Sequence, residues 1–258
     1  MDTGLKDKGV LVTGGGGGIG SAVVRAFSAE GARVAVHYRS SKQRAETVAR
    51  EVDGVALAAD LTVEPQVDEL VPAAVAALGR LDVLVANAGD WPSEDTPVWE
   101  MSYERWRRYL AANLDSVFLS CRAFLRHVAQ TGEGNIVVVA STAGVFGEAG
   151  HSDYAAAKGA LVAGFLKSLK NEIVRIAPRG RVNAVAPGWT ATDMTRDFVE
   201  ERGFVAKITR TMSLGKLGLA NDVARTIVSL ASDEISGHVS GEVITIAGGM
   251  EGRVLHDT

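Results

Sequence analysis

Short apolar runs alternate with amphipathic stretches along this chain, and no other feature constrains its fold as tightly. Val83-Leu84-Val85-Ala86 is representative: four apolar residues in a row, without the polar alternation of a half-exposed strand. Such a run belongs in a strand covered on both faces, as parallel strands are. The pattern predicts strands near 9–13, 33–37, 54–59, 82–86, 135–140, 181–186 and 242–246. Between them, helical periodicity predicts helices near 19–30, 41–52, 64–78, 102–130, 152–176 and 220–231, with shorter pieces near 194–212. Strands linked through helices pair in parallel, and the right-handed crossover puts helices on both faces. The expected fold class is α/β, a doubly wound Rossmann fold around a seven-stranded parallel sheet. Ligands of such sheets sit beyond the carboxyl ends of the strands. Asn87, Ser141 and Pro187-Gly188 each follow a predicted strand directly.

At 258 residues the length alone allows one domain or two. No linker, low-complexity tract or tandem repeat interrupts the alternation, so 1–258 reads as a single domain. A hydrophobic content of 47% supplies a large core. No stretch has the roughly eighteen consecutive apolar residues of a membrane span. The opening Met-Asp-Thr-Gly-Leu-Lys lacks the basic and apolar blocks of a secretory signal. A net charge of −4 offers nothing to nucleic acid. The single cysteine, Cys121, excludes an internal disulfide and a cysteine-cluster zinc site, and its neighbours Phe118, Leu119 and Phe124 mark it as a buried small side chain. A cytoplasmic enzyme without a metal is the plain reading.

The first predicted strand runs into five consecutive glycines, Gly14 to Gly18, followed by Ile19 and Gly20. Ala22, Val23, Ala26, Phe27 and Ala29 then keep helical period until Gly31. Strand, glycine turn and helix together present backbone N–H groups and a helix N-terminus to a pyrophosphate. The run leaves its own register open. Gly15, Gly17 and Gly20 fit G-x-G-x-x-G, while Thr13-Gly14 with Gly18-Ile19-Gly20 fits T-G-x-x-x-G-I-G.

Farther along, Tyr154 and Lys158 stand one helical turn apart, and Ser141 lies upstream past the apolar run Ile136 to Ala140. A helix brings i and i+4 to one face, so a phenol and an ammonium share one space. The cation is expected to lower the tyrosine pKa from about 10 toward working pH, which suits the phenol to proton transfer.

These residues carry a resemblance. The chain resembles the short-chain dehydrogenase/reductases of the single-domain type through Thr13-Gly14-x-x-x-Gly18-Ile19-Gly20, Asp60-Leu61, Asn87-Ala88-Gly89, Asn113, Ser141, Tyr154-x-x-x-Lys158, Pro187-Gly188 with Thr192, and Gly248-Gly249. The resemblance implies Tyr154 as general acid in reduction and general base in oxidation, and Lys158 on the nicotinamide ribose hydroxyls. It implies Ser141 on the substrate oxygen and Asn113 holding a water through its backbone carbonyl. Asn87-Ala88-Gly89 would floor the adenosine side, and Asp60, otherwise an ordinary loop acid, would face the adenine amine. Thr192 would meet the carboxamide, Gly188 would let backbone approach the ring, and Ile19, Leu61, Pro187 and Thr190 complete the cofactor set. It also implies a substrate lid near 190–214.

The choice of dinucleotide falls at the end of the second strand, where an acid selects a ribose 2′-hydroxyl and an arginine a 2′-phosphate. Here Val34-Ala35-Val36-His37 runs into Tyr38-Arg39-Ser40-Ser41, with no acid before Glu46. Arg39 and Ser40 favour NADP(H), and a single arginine leaves NAD(H) open. Trp91, Phe146, His151, Trp189 and Phe198 flank the motifs as pocket-lining or packing residues. Arg196, Arg202, Lys207 and Arg210 in the lid steer an anionic substrate or form a solvated face. The finer resemblance is to 3-oxoacyl-carrier-protein reductases, which dock an acidic carrier on basic residues. Arg179 matches one such position, but Gln130-Thr131-Gly132-Glu133 replaces the expected basic turn, which argues against a carrier protein as partner. The leading expectation is reduction of a small-molecule carbonyl substrate. The alternatives are an oxidative secondary alcohol or sugar dehydrogenase and a nucleotide-binding scaffold. Apolar positions on the two longest helices, Val117, Phe118, Ala123 and Phe124 with Ala163, Phe165 and Leu166, predict a homotetramer or at least a dimer.

Overall fold

A computed structural model describes residues 2–192 and 203–250. Its main sheet contains β1 (Gly9–Val12), β2 (Arg33–Tyr38), β3 (Val55–Ala58), β4 (Val83–Ala86), β5 (Asn135–Val139), β6 (Arg181–Pro187) and β9 (Val243–Ile246). All seven strands are parallel, in the order β3-β2-β1-β4-β5-β6-β9. Two-residue strands β7 (Thr190–Ala191) and β8 (Gly218–Leu219) pair separately. The sheet is the α/β Rossmann arrangement expected, with strand order reversing between β1 and β4.

Apolar runs without alternation are explained by two cores, one on each face. Leu11, Leu84, Ile136 and Val138 point to one side, packing with Val67 and Leu70 of α3 (Glu64–Leu78) and Val117, Cys121 and Phe124 of α5 (Ser116–Thr131). Val10, Val12, Val85 and Val137 point to the other. There they meet Val23 and Phe27 of α1 (Gly18–Ala29), Ala45 and Val48 of α2 (Lys42–Glu51), and Val223 and Ile227 of α10 (Ala220–Ala231). Period-2 side chains with both faces buried favour apolar residues at successive strand positions. Burial pushes the Cys121 thiol up to about 12, leaving it an inert core group.

Two expected long helices are interrupted. The 102–130 prediction becomes α4 (Tyr103–Leu110), a π-helical turn over Ala111–Asp115, and α5. The 152–176 prediction becomes α7 (Ser152–Ala160), a second π turn over Leu161–Phe165, α8 (Leu166–Glu172) and a short 3₁₀ turn. Each π turn spans only five residues within a longer helical stretch, too few to show in the hydrophobic pattern. Short α6 (Ala143–Phe146) and α11 (Asp233–Ser236) were likewise invisible to periodicity. Of the pieces expected near 194–212, the described residues show α9 (Phe204–Thr209). Phe198, Arg196 and Arg202 lie outside the described residues.

The apolar helix positions also divide differently from expectation. Val117, Ala123, Phe124 and Leu166 are core residues and unavailable to a partner. Phe118 is exposed and meets Phe165 edge-on at 6.3 Å, the two lining an apolar groove with Leu125 and Leu169.

Candidate active site

One cleft of about 430 Å³ runs along the carboxyl ends of β1, β2, β4, β5 and β6. At one end is the glycine turn. Gly14 has φ 63°, in the left-handed region that glycine adopts without a side-chain clash. A Cβ on Gly20 would stand 2.2 Å from the Gly14 carbonyl oxygen, so the first turn of α1 closes on the loop only without a side chain. A Cβ on Gly17 would meet nothing nearer than 3.3 Å, so this position is set by the turn rather than by close packing. Gly14, Gly17, Gly18, Ile19 and Gly20 all line the cleft beside the N-terminus of α1. This cradle fits a pyrophosphate through exposed backbone donors and the helix dipole.

Thr13 lies behind the cradle. Its hydroxyl donates to the Val85 carbonyl at 3.3 Å and accepts from the N–H groups of Asn87 and Ala88 at 2.9 and 3.0 Å. Asn87 returns its amide to the Thr13 carbonyl at 2.9 Å. Thr13 is therefore a positioning residue that joins the ends of β1 and β4. Asn87, Ala88 and Gly89 line the cleft, as do Leu61, Arg39 and Ser40. Asp60 lies off the lining: its Oδ1 accepts from the Thr62 N–H at 2.9 Å and hydroxyl at 2.7 Å, an Asx-type turn. Those hydrogen bonds hold its carboxyl below the usual carboxylate range.

Ser141, Tyr154, Lys158 and Asn113 converge on the same cleft, with Pro187, Gly188, Thr190 and Thr192 along its border. Ser141 follows β5, and Tyr154 and Lys158 occupy one face of α7. The Lys158 ammonium is buried and donates to the Val139 carbonyl at 2.9 Å. Asn113, fully buried in the first π turn, donates from Nδ2 to the carbonyls of Asp90 and Tyr109 at 2.8 and 3.0 Å. A Cβ on Gly89 would fall 2.6 Å from Asn113 Oδ1 and 3.3 Å from Lys158 Nζ. Glycine there lets these two polar side chains reach the loop.

The electrostatics correct the expectation for tyrosine. The Tyr154 phenol is pushed up to about 12, chiefly by burial, and a hydrogen bond from Ser141 opposes only part of that rise. Burial lowers Lys158 to about 8. Its ammonium is committed to Val139 and stands 5.7 Å from the Tyr154 ring centroid. Desolvation of each charged form thus outweighs attraction between them in the unliganded protein. Tyr154 is a proton donor at neutral pH, and Lys158 keeps most of its charge there.

Two positioning groups escaped the sequence reading. Asp153 is fully buried; its Oδ1 accepts from the Tyr154 N–H and its Oδ2 from Arg105 Nε, both at 2.9 Å. Arg105 also reaches Thr96 and the carbonyls of Glu94 and Gly150, clasping the loop before α4 to the start of α7. Nothing in sequence spacing announces that pair. His37 did leave a signal, as a polar residue directly after the apolar run Val34-Ala35-Val36. Its Nδ1 accepts from the Gly14 N–H at 3.0 Å, and its Nε2 faces the Ala59 carbonyl at 3.0 Å. Only a neutral ring protonated on Nε2 satisfies both partners.

Comparison with known proteins was consistent in kind. A family model described as Enoyl-(Acyl carrier protein) reductase matches residues 14–251. The chain is 35% identical over 254 residues to the 3-oxoacyl-[acyl-carrier-protein] reductase of Synechocystis sp., covering 96% of this chain and 98% of that one. It is 35% identical to the enzyme of that name from Escherichia coli, with 93% and 96% covered, and 36% identical to that of Thermotoga maritima, with 95% and 98% covered. The crystal structure of gox2181 superposes with a TM-score of 0.89 at 27% identity, covering 95% and 96% of the two chains.

His37 supplies a prediction. Burial lowers its pKa below the ordinary 6.5, so the ring should be mostly neutral and Nε2-protonated at pH 6.5. Because the folded value is depressed, its contribution to stability is complete above the unfolded value and declines as pH falls below about 6.5. Nitrogen-resolved NMR of the imidazoles checks this. A mostly protonated ring at pH 6.5, or an Nδ1–H tautomer, would contradict the assignment.

Proposed function

The chain belongs to the short-chain dehydrogenase/reductase family, and on that premise we propose that it is an NADP(H)-dependent carbonyl reductase acting on a ketone or 3-oxoacyl-type substrate. The observation that carries this reading is the hydrogen-bonded Ser141–Tyr154 pair beside buried Lys158, in the same cleft as the glycine cradle. Two hydroxyl donors at one place suit an oxygen that gains electron density, which a carbonyl has and an isolated carbon–carbon double bond lacks.

A bound reduced nicotinamide would supply hydride to the carbonyl carbon. The glycine cradle and the N-terminus of α1 would hold the pyrophosphate, with Asn87, Ala88 and Gly89 along the adenosine. Ser141 donates a hydrogen bond to the substrate oxygen and orients the carbonyl. Tyr154 gives that oxygen its proton, so the product is an alcohol and the phenolate is left behind. Lys158 stabilises the phenolate by charge, and solvent then restores the phenol. The high pKa of Tyr154 keeps its proton available throughout the neutral range.

Arg39 is exposed at the border of the cleft, beside Ser40 and Ser41. A guanidinium there forks onto a 2′-phosphate and stacks on an adenine plane, which supports NADP(H) over NAD(H). The absent basic turn at Gln130 to Glu133 supports a free small molecule over a carrier-bound one. The groove around Phe118 and Phe165 supports assembly through a second copy, within a homotetramer, and a cytoplasmic location accords with this chemistry.

Tyr154→Phe should lower carbonyl reduction by about 10²- to 10⁴-fold with NADPH affinity nearly unchanged, whereas Lys158→Ala should impair both. Stopped-flow NADPH oxidation over a ketone, diketone and acyl-thioester panel measures it. Retention of most turnover by the phenylalanine variant, where chemistry limits the rate, would remove Tyr154 from its role.

Arg39→Ala should weaken NADPH by roughly ten- to a hundredfold, the worth of a charge-assisted hydrogen bond of about 1.5–3 kcal/mol. NADH binding should hardly change. Parallel titrations decide it, and equal losses for both cofactors would reject Arg39 as the discriminator.

Light scattering at micromolar concentration should report a dimer or tetramer, and Phe118→Glu should shift it toward monomer. A monomeric parent protein would refute the assembly.

A further inference from the structure

Around Tyr154 the cleft is walled by Trp91, Trp189, Glu148 and Met250. Trp91 meets Trp189 edge-on, with ring centroids 5.8 Å apart, and stacks on His151 at 4.9 Å. Of the two carboxyls lining the cleft, Asp90 pairs with Arg108 at 3.6 Å, and Glu148 belongs to this wall. Glu148 accepts a hydrogen bond from the Trp91 side chain. Its nearest cation candidate among the described residues is His151, with Nδ1 3.8 Å from Glu148 Oε1; that nitrogen also faces the Ala149 carbonyl at 3.1 Å. The two full cations lining the cleft are otherwise placed. Lys158 is bonded to Val139, and Arg39 follows β2 in the adenosine-side segment.

Glu148 is therefore a half-buried carboxyl without an arginine or lysine partner among the described residues, close enough for its charge to act on the Tyr154 phenol. Burial raises its carboxyl above the ordinary range, although His151 and the Trp91 hydrogen bond oppose the rise. A carboxyl has about four acceptor positions, and Trp91 takes one. The catalytic steps above do not use it. His151 Nε2 is buried without a partner, so the polar side of this wall is incompletely satisfied within the protein itself.

We propose that Glu148 recognises a hydroxyl group on the substrate near the reacting carbonyl, so that the site takes neutral hydroxy ketones and rejects carbonyl compounds carrying a carboxylate at that position. A hydroxyl offers the donor that the carboxyl lacks, while Trp91 and Trp189 cover the carbon skeleton on either side. A substrate carboxylate would bring two like charges together in a poorly solvated wall where no described guanidinium reaches Glu148. Assignment of this substrate class rests on the carbonyl-reductase reading above.

The test uses the full chain with NADPH and sets of equal-length ketones bearing a hydroxyl, a methoxyl, an amine or a carboxylate one or two carbons from the carbonyl. The wild type should prefer hydroxyl to methoxyl by about tenfold in kcat/KM, the worth of one buried hydrogen bond. Glu148→Leu should bring that ratio near one and raise the relative rate on carboxylates. Glu148→Gln, which keeps an acceptor oxygen without the charge, should retain the hydroxyl preference while admitting carboxylates. Ratios within each variant cancel differences in folded fraction. An unchanged ratio in Glu148→Leu, or a wild-type preference for methoxyl, amine or carboxylate, overturns the proposal. Tryptophan quenching by the same compounds with NADP⁺ reads binding apart from turnover. Preserved hydroxyl selectivity in binding with no carbonyl reduction would overturn the reductase reading alone.

Discussion

A parallel sheet that is apolar on both faces must resolve its polar requirements at the ends of its strands, and the rest of this protein follows from that constraint. At the amino end the resolution is internal. The Asp82 carboxyl accepts from the Gly9 N–H at 2.8 Å and from Arg80 Nε at 2.7 Å. Arg181 donates to Asp233 and to the carbonyls of Leu230 and Ala231 at the last turn of α10. At the carboxyl end the groups are tied only in part. Thr13 and His37 fix the loops in place, while the N-terminus of α1, whose first N–H groups have no partner within the helix, stands at the cleft.

That division explains how the chain keeps charged and polar groups in a dry site. Lys158 would be costly inside an apolar core. It is tolerated because the last carbonyl of β5 accepts its hydrogen bond and because Gly89 leaves room above it. Asn113 depends on a similar local accommodation, since a π turn widens the helix where its side chain reaches back to Asp90. Each device costs regularity in a helix or loop, and each stands within the cleft.

Burial keeps the proton on Tyr154 throughout the neutral range and lowers the pKa of Lys158 beside it. The Arg105–Asp153 clasp ties the start of α7 to the loop before α4.

By itself the sequence determined the sheet, because period-2 strands buried on both faces leave an unmistakable apolar run, as in Val83 to Ala86. It also determined which residues gather at the cleft, since Ser141, Tyr154 and Lys158 are ordered by local spacing on a strand end and one helical turn. Only tertiary structure decided how those groups titrate. Burial is a property of the surroundings, and it reversed the expected direction for Tyr154. The same holds for Asp60, whose carboxylate turns to Thr62, and for Val117 and Phe124, which face the core rather than a partner. His37, Asp153 and Glu148 take their roles from contacts with Gly14, Arg105 and Trp91, far away in sequence or set by a loop's path. Local pattern encodes which face a side chain takes, but a hydrogen-bond partner across the sheet is chosen only when the chain has packed.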